Sequence, residues 1–156
     1  MQKLFVVADV SGSMCCGGKL FVAKSVLQTL DALKRTAENP EEIAVEKINW
    51  DGTESGFEEL MPKLSGKCSM ILTDGYSILD NCGKSRIAKK FFEENKNSLF
   101  VILCGGDAVD ISKFKDFSMV RTVKADNVLF AVETLLGAGK HQEKEKSAGE
   151  TGSVWE

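Results

Sequence analysis

The stretch LFVVADVSGSM, from Leu4 to Met14, contains the features that decide the fold. Its first five residues are apolar, and such a run is typical of a strand that is covered on both faces. Asp9 ends the run, and a turn rich in glycine and serine follows it. From Lys19 to Arg35 the apolar residues then recur with helical spacing. A buried strand, a polar turn and an amphipathic helix in succession indicate the start of a parallel β–α–β unit.

The same alternation continues to the end of the apolar part of the chain. The patterns predict further strands at residues 43–50, 68–73, 99–104 and 119–123. They predict further helices at residues 57–64, 85–95, 111–116 and 128–136. We therefore predict an α/β fold, a Rossmann-like three-layer α/β/α sandwich around a mostly parallel sheet.

Length and composition favour one globular domain. The chain has 156 residues, of which 43% are hydrophobic and 28% charged, enough apolar material for one core. Residues 138–156 are polar and charged and show no periodicity. We predict a domain over residues 1–137 and a disordered tail over residues 138–156.

Charge and residue types exclude several classes of protein. The net charge of −3 and the lack of a basic stripe argue against binding to nucleic acid. No apolar segment is long enough to span a membrane, and the first residues do not resemble a secretory signal, so we expect a cytoplasmic protein. The five cysteines include no Cys-x-x-Cys pair and the one histidine, His141, lies in the tail, which makes a zinc site improbable.

Polar side chains collect at the predicted carboxyl ends of three strands. Asp9, Ser11 and Ser13 follow the first strand, Thr53 follows the second, and Asp74 follows the third. Parallel sheets bind ligands at this edge, so three loops that are distant in sequence would meet there. Carboxylate and hydroxyl oxygens are hard ligands, which suit Mg²⁺ best and also Mn²⁺ or Ca²⁺.

The motifs DVSGSM at residues 9–14 and LTDG at residues 72–75, each after a hydrophobic strand, resemble the metal-ion-dependent adhesion site of von Willebrand factor A domains. The resemblance covers residues 4–136. It implies that Ser11 and Ser13 bind a divalent cation directly, and that Asp9 and Asp74 bind it directly or through water. In that family a threonine from an intervening loop completes the site. Thr53 matches that position best, with Ser55 as the alternative.

The resemblance also implies a function. The cation would keep residual positive charge and accept an aspartate or glutamate carboxylate from a partner protein. Small members of this family serve as adaptors for AAA+ ATPases or as subunits of multi-protein complexes. We therefore expect a metal-dependent protein-interaction module.

The residue types favour binding over catalysis. No Ser/His or Cys/His pair is available for nucleophilic chemistry, and we expect no lysine to point into the site. The alternative is a Mg²⁺-dependent phosphohydrolase on a Rossmann-like sheet. Haloacid-dehalogenase-like enzymes place a second acidic residue two positions after the first, and Ser11 stands there in this chain.

Overall fold

Strands and helices alternate along the part of the chain that the computed structural model describes, residues 2–36, 43–82, 85–105, 108 and 121–135. The strands are β1 (Gln2–Asp9), β2 (Ile43–Trp50), β3 (Ser69–Thr73), β4 (Leu99–Leu103) and β5 (Arg121–Lys124). The helices are α1 (Lys19–Thr36), α2 (Glu54–Leu64), α3 (Arg86–Glu94) and α4 (residues 128–135). A single 3₁₀ turn, Gly12–Cys15, lies between β1 and α1.

The five strands form one sheet in the order β2-β1-β3-β4-β5, and every neighbouring pair is parallel. The chain moves from β1 outward to β2 and then crosses back over β1 to β3. The direction of winding therefore reverses between β1 and β3. In sheets of this kind, a crevice opens at the carboxyl ends of the two strands on either side of the reversal. Asp9 and Asp74 stand at these two strand ends.

Two apolar cores cover the two faces of the sheet, because successive residues of a strand point to opposite sides. Phe5, Val7 and Ile71 pack against α2 and α3 on one face, whereas Leu4 and Val6 pack against α1 and α4 on the other. The predicted class is confirmed: in the described part of the chain, helices flank both faces of a five-stranded sheet whose strands are all parallel.

An aromatic cluster holds α2 and α3 on their face of the sheet. The ring of Phe57 lies 5.4 Å from that of Trp50, 5.7 Å from Phe91 and 5.3 Å from Phe92, measured between centroids. Trp50 is the last residue of β2, and its indole N–H donates to the carbonyl of Thr53 at 2.9 Å. The cluster thus fixes the loop between β2 and α2, which borders the candidate site.

The element boundaries differ from the sequence predictions in a few places. Helix α2 begins at Glu54 instead of residue 57, because the Thr53 side chain caps it. A π-helical turn at Ile78–Cys82 follows β3 and was not predicted. Strand β5 is described at Arg121–Lys124 and ends one residue beyond the predicted end at Val123, and the predicted residues 119 and 120 lie outside the described residues. The predicted helix 111–116 and the predicted tail 138–156 lie outside the described residues.

Among the described residues, no helix is both long and apolar enough to cross a bilayer.

Candidate metal centre

Asp9 is the last residue of β1, at the edge of the sheet where β1 and β3 end, and its side chain is completely buried. Its Oδ1 accepts the backbone N–H of Ser11 at 2.9 Å, and its Oδ2 accepts the hydroxyl of Thr73 at 2.6 Å. Both oxygens of the side chain therefore act as hydrogen-bond acceptors. These bonds hold the first turn of the loop after β1 against the end of β3.

Three serine hydroxyls lie close together in the loops that follow β1 and β3. The Ser11 Oγ lies 3.5 Å from the Ser13 Oγ, and the Ser77 hydroxyl donates to the Ser11 Oγ at 3.1 Å. Neighbouring oxygens around an octahedral ion lie about 3.0 Å apart for Mg²⁺ and about 3.4 Å apart for Ca²⁺, as follows from their usual bond lengths. The spacing of the hydroxyls therefore suits a hard divalent cation.

Gly52 closes the crevice from the side of β2. Its φ is +84°, and a Cβ at this position would lie 2.6 Å from the Ser11 Cβ and 2.8 Å from the Ser77 Oγ. A side chain would thus collide with two of the three serines. Glycine is required here both for its backbone conformation and for this close approach.

Thr53 belongs to a neighbouring hydrogen-bonded group at the start of α2. Its hydroxyl donates to Asp51 Oδ1 at 2.7 Å and accepts the N–H of Gly56 at 3.0 Å, and it lies 3.5 Å from the Ser55 hydroxyl. The hydrogen bond from the Thr53 hydroxyl, together with one from its backbone N–H, lowers the pKa of the Asp51 carboxyl. Thr53 therefore follows Gly52 in the chain and caps the first turn of α2. Its role as a metal ligand stays a prediction.

Asp74 lies across the crevice from the loop after β1 and is completely buried. Its Oδ1 accepts the backbone N–H of Tyr76 at 3.2 Å. Its Oδ2 forms an ion pair with the Lys19 ammonium at 2.9 Å, and the Lys19 side chain is only 4% exposed. The same ammonium donates to the Ser13 carbonyl at 3.2 Å.

The expectation that no lysine points into the site is therefore wrong. Lys19 is the first residue of α1, and its side chain runs past the end of β4 to reach Asp74. A Cβ at Gly105 would lie 2.6 Å from the Lys19 Cγ, and the φ of Gly105 is +101°, so only glycine leaves room for the lysine stem.

The charges in the crevice leave room for a cation. Lys19 pairs with Asp74, whereas Asp9 forms no ion pair with any lysine or arginine of the described residues. A completely buried carboxylate without a cationic partner is costly, and a metal ion is one of its usual partners. Asp9, Asp74 and the three serines therefore fit a divalent cation in both donor chemistry and charge.

Cys104 follows β4 and is completely buried, and this burial changes the pKa of its thiol. Burial raises the pKa of Cys104 to about 12, and the nearby carboxylates of Asp74 and Asp9 act in the same direction. The thiol therefore stays protonated at neutral pH and is not a candidate ligand in that form.

Hydroxyl oxygens form most of this donor set. In the described part of the chain, no three histidine, cysteine, aspartate or glutamate side chains cluster as a metal site. The candidate centre has only the carboxylates of Asp9 and Asp74, so most of its donors would be serine hydroxyls.

Three residues of the crevice were missed in the sequence. Thr73 is the second residue of the LTDG motif and Ser77 lies two residues after it, and neither carries a signal of its own. Lys19 did carry a sequence signal. It stands four residues before Ala23 and seven before Val26, and all three side chains are buried on the same face of α1. Its position in line with the apolar stripe, beside the motif loop, was the one sequence feature that separated Lys19 from the exposed lysines of the chain.

The comparisons with known proteins address the fold. No model of a known protein family matches the chain, and the search of curated proteins found no match. A solved structure described as a "putative lipoprotein" fragment from Peptoclostridium difficile 630 is similar in fold, with a TM-score of 0.54 and 16% sequence identity. The match covers 90% of this chain and 99% of that one. At this level of identity the likeness shows the α/β fold alone.

Proposed function

We propose that this chain is a non-enzymatic, metal-dependent protein-interaction module of the von Willebrand factor A type. Ser11 and Ser13 bind a divalent cation, Mg²⁺ in the first place, while Asp9 and Asp74 hold it directly or through water. The observation that carries the proposal is the buried Asp9 carboxylate, which has no ion pair among the described residues and is hydrogen-bonded to the loop that carries the Ser11 and Ser13 hydroxyls.

The surroundings of the crevice suit a protein partner. The bound cation would supply a positive centre that exchanges a water molecule for a carboxylate oxygen. Val10 and Tyr76 flank the crevice, and each is 42% exposed. A partner aspartate or glutamate would enter between them, and its neighbouring apolar groups would pack on these two side chains. AAA+ ATPases and subunits of multi-protein complexes are the candidate partners.

We place this function in the cytoplasm. The described cysteines Cys15, Cys16, Cys68 and Cys104 are all free thiols, as is usual in reducing compartments.

A titration with Mn²⁺ as the probe tests the proposal. Bound Mn²⁺ is measured by the relaxation rate of water protons, which also reports how many water molecules the ion retains. Wild-type protein should bind Mn²⁺, and Mg²⁺ should compete for the site. Ser13→Ala should weaken Mn²⁺ binding by about tenfold or more, because it removes a direct ligand. Ser65→Ala is the matched control, since Ser65 is an exposed serine at the end of α2.

Acetate then tests the carboxylate part of the proposal. It should lower the proton relaxation of the Mn²⁺ complex by displacing bound water. Failure of wild-type protein to bind Mn²⁺, or equal binding by Ser13→Ala and wild type, would overturn the proposed function.

A phosphohydrolase is the second candidate: the Lys19 ammonium is a group of the kind that binds phosphate oxygens, although its side chain is 4% exposed and paired with Asp74. The position of Asp9 argues against it: a nucleophile must reach its substrate, whereas this carboxylate is completely buried and both its oxygens accept hydrogen bonds. Mg²⁺-dependent hydrolysis of p-nitrophenyl phosphate that is lost in Asp9→Asn would decide for the enzyme.

A further inference from the structure

We infer that Lys19 sets the selectivity of the proposed centre: its fixed positive charge weakens the binding of the metal and strengthens the binding of the partner carboxylate to the loaded site. The inference rests on the proposed function and adds the residue that controls it.

The ammonium of Lys19 is held in one position by groups on both sides of the crevice. It contacts Asp74 after β3 at 2.9 Å and the carbonyl of Ser13 in the loop after β1 at 3.2 Å. The Tyr76 ring covers it, with 5.5 Å between the ammonium nitrogen and the ring centroid. Because the side chain is almost completely buried, its charge is screened weakly by solvent.

The charges of the buried groups explain why this lysine matters. Among the described residues at the centre, the buried charged groups are Asp9, Asp74 and Lys19. Together they carry one net negative charge, so a divalent cation would bring this described set to one net positive charge. A carboxylate would then make it neutral. Without the lysine, the metal alone would neutralise the centre, and an incoming carboxylate would leave a buried negative charge.

Removal of the Lys19 charge should therefore raise the affinity for the metal and lower the affinity of the metal-loaded site for a carboxylate. In Lys19→Met the affinity for Mn²⁺ should rise by about tenfold or more, because a unit charge near a divalent ion has an effect of this size even in a water-like dielectric. The effect of acetate on the proton relaxation of the Mn²⁺ complex should fall by a similar factor. Lys19→Arg, which keeps the charge, should stay closer to wild type in both measurements.

A double variant separates charge from packing and covers the case in which Lys19→Met does not fold. Lys19→Met leaves the buried Asp74 without its ionic partner, whereas Lys19→Met/Asp74→Asn removes both charges and restores the net charge of the wild-type centre. The double variant should regain the acetate effect that Lys19→Met loses. Circular dichroism melting curves of all variants confirm that the proteins compared are folded.

The outcomes distinguish the two proposals. If wild type and Lys19→Met both fail to bind Mn²⁺, the proposed function fails. If wild type binds Mn²⁺ and responds to acetate, but Lys19→Met shows an equal or lower affinity and an unchanged acetate effect, the proposed function stands and the role of Lys19 is overturned.

Discussion

Gly52→Ala tests how closely the loop after β2 approaches the serines of the crevice. A methyl group here would lie 2.6 Å from the Ser11 Cβ and 2.8 Å from the Ser77 Oγ, both well inside van der Waals contact. Because Gly52 follows the end of β2, where Trp50 anchors the chain, the loop has little freedom to move away. The serines, the loop or both must shift.

Two costs add in this variant. A side chain at a φ of +84° costs about 1–2 kcal/mol, and overpacking against buried neighbours typically costs a further 1–3 kcal/mol. We therefore expect Gly52→Ala to lower the free energy of unfolding by about 2–5 kcal/mol. This is a large part of the stability of an ordinary domain.

Gly66→Ala is the matched control. Gly66 has a similar φ of +73°, but nothing lies within 4 Å of the position of its Cβ. It should therefore show only the backbone cost of about 1–2 kcal/mol. Urea unfolding followed by circular dichroism gives both free energies, and Mn²⁺ titration should show weaker binding only in Gly52→Ala.

The comparison can refute the reasoning directly. If Gly52→Ala is no less stable than Gly66→Ala and binds Mn²⁺ as wild type does, then Gly52 does not press on Ser11 and Ser77.

Two further predictions concern buried groups around the crevice. Thr73→Val removes the hydroxyl that donates to Asp9 at 2.6 Å and accepts the Gly75 N–H at 3.0 Å. It should lower the free energy of unfolding in urea by about 1–3 kcal/mol, whereas Thr29→Val on partly exposed α1 should cost much less. Equal losses would contradict the role of these two buried hydrogen bonds. Burial raises the pKa of Cys104 from its ordinary 9.0 to about 12. Above pH 9 the thiol therefore ionises in the unfolded chain while it stays protonated in the folded protein. The free energy of unfolding should then fall by up to about 1.4 kcal/mol per pH unit. In Cys104→Ala this part of the slope should be missing from urea unfolding at pH 8, 9 and 10, and profiles parallel to wild type would contradict the assignment.

The fold was predictable because the strands of a parallel sheet are buried on both faces. The runs LFVVA and LFVIL stand out from their polar surroundings in any reading of the chain, and the helices between them show a clear helical period. The beginning of α2 was placed three residues late, since the residues before Phe57 are polar and only the cap at Thr53 marks the true start.

The candidate site was predictable only in part. The sequence places Asp9, Ser11, Ser13 and Asp74 at strand ends, and the strand order then brings these ends together. The sequence gives no direct sign of contacts between distant loops, such as the hydrogen bond of Ser77 to Ser11 or that of Thr73 to Asp9. These contacts depend on the path of the chain after β3, including the π-helical turn that no local pattern predicts.

Lys19 shows a second reason why sequence patterns fall short. Lysine side chains are almost always exposed, so a lysine at a helix start is read as part of the solvated face. Here the ion pair with Asp74 and the open space at Gly105 make burial possible. Both partners lie more than fifty residues away in the chain.

The position of a bound ion tests the central claim most directly. Anomalous diffraction from a crystal soaked in Mn²⁺ should give one strong peak in the crevice, at about 2.2 Å from the hydroxyl oxygens of Ser11 and Ser13. The peak should be absent in crystals of Ser11→Ala/Ser13→Ala soaked in the same way. A wild-type crystal without a peak at this position, with the serine hydroxyls bonded only to protein groups, would contradict a metal centre at this edge of the sheet.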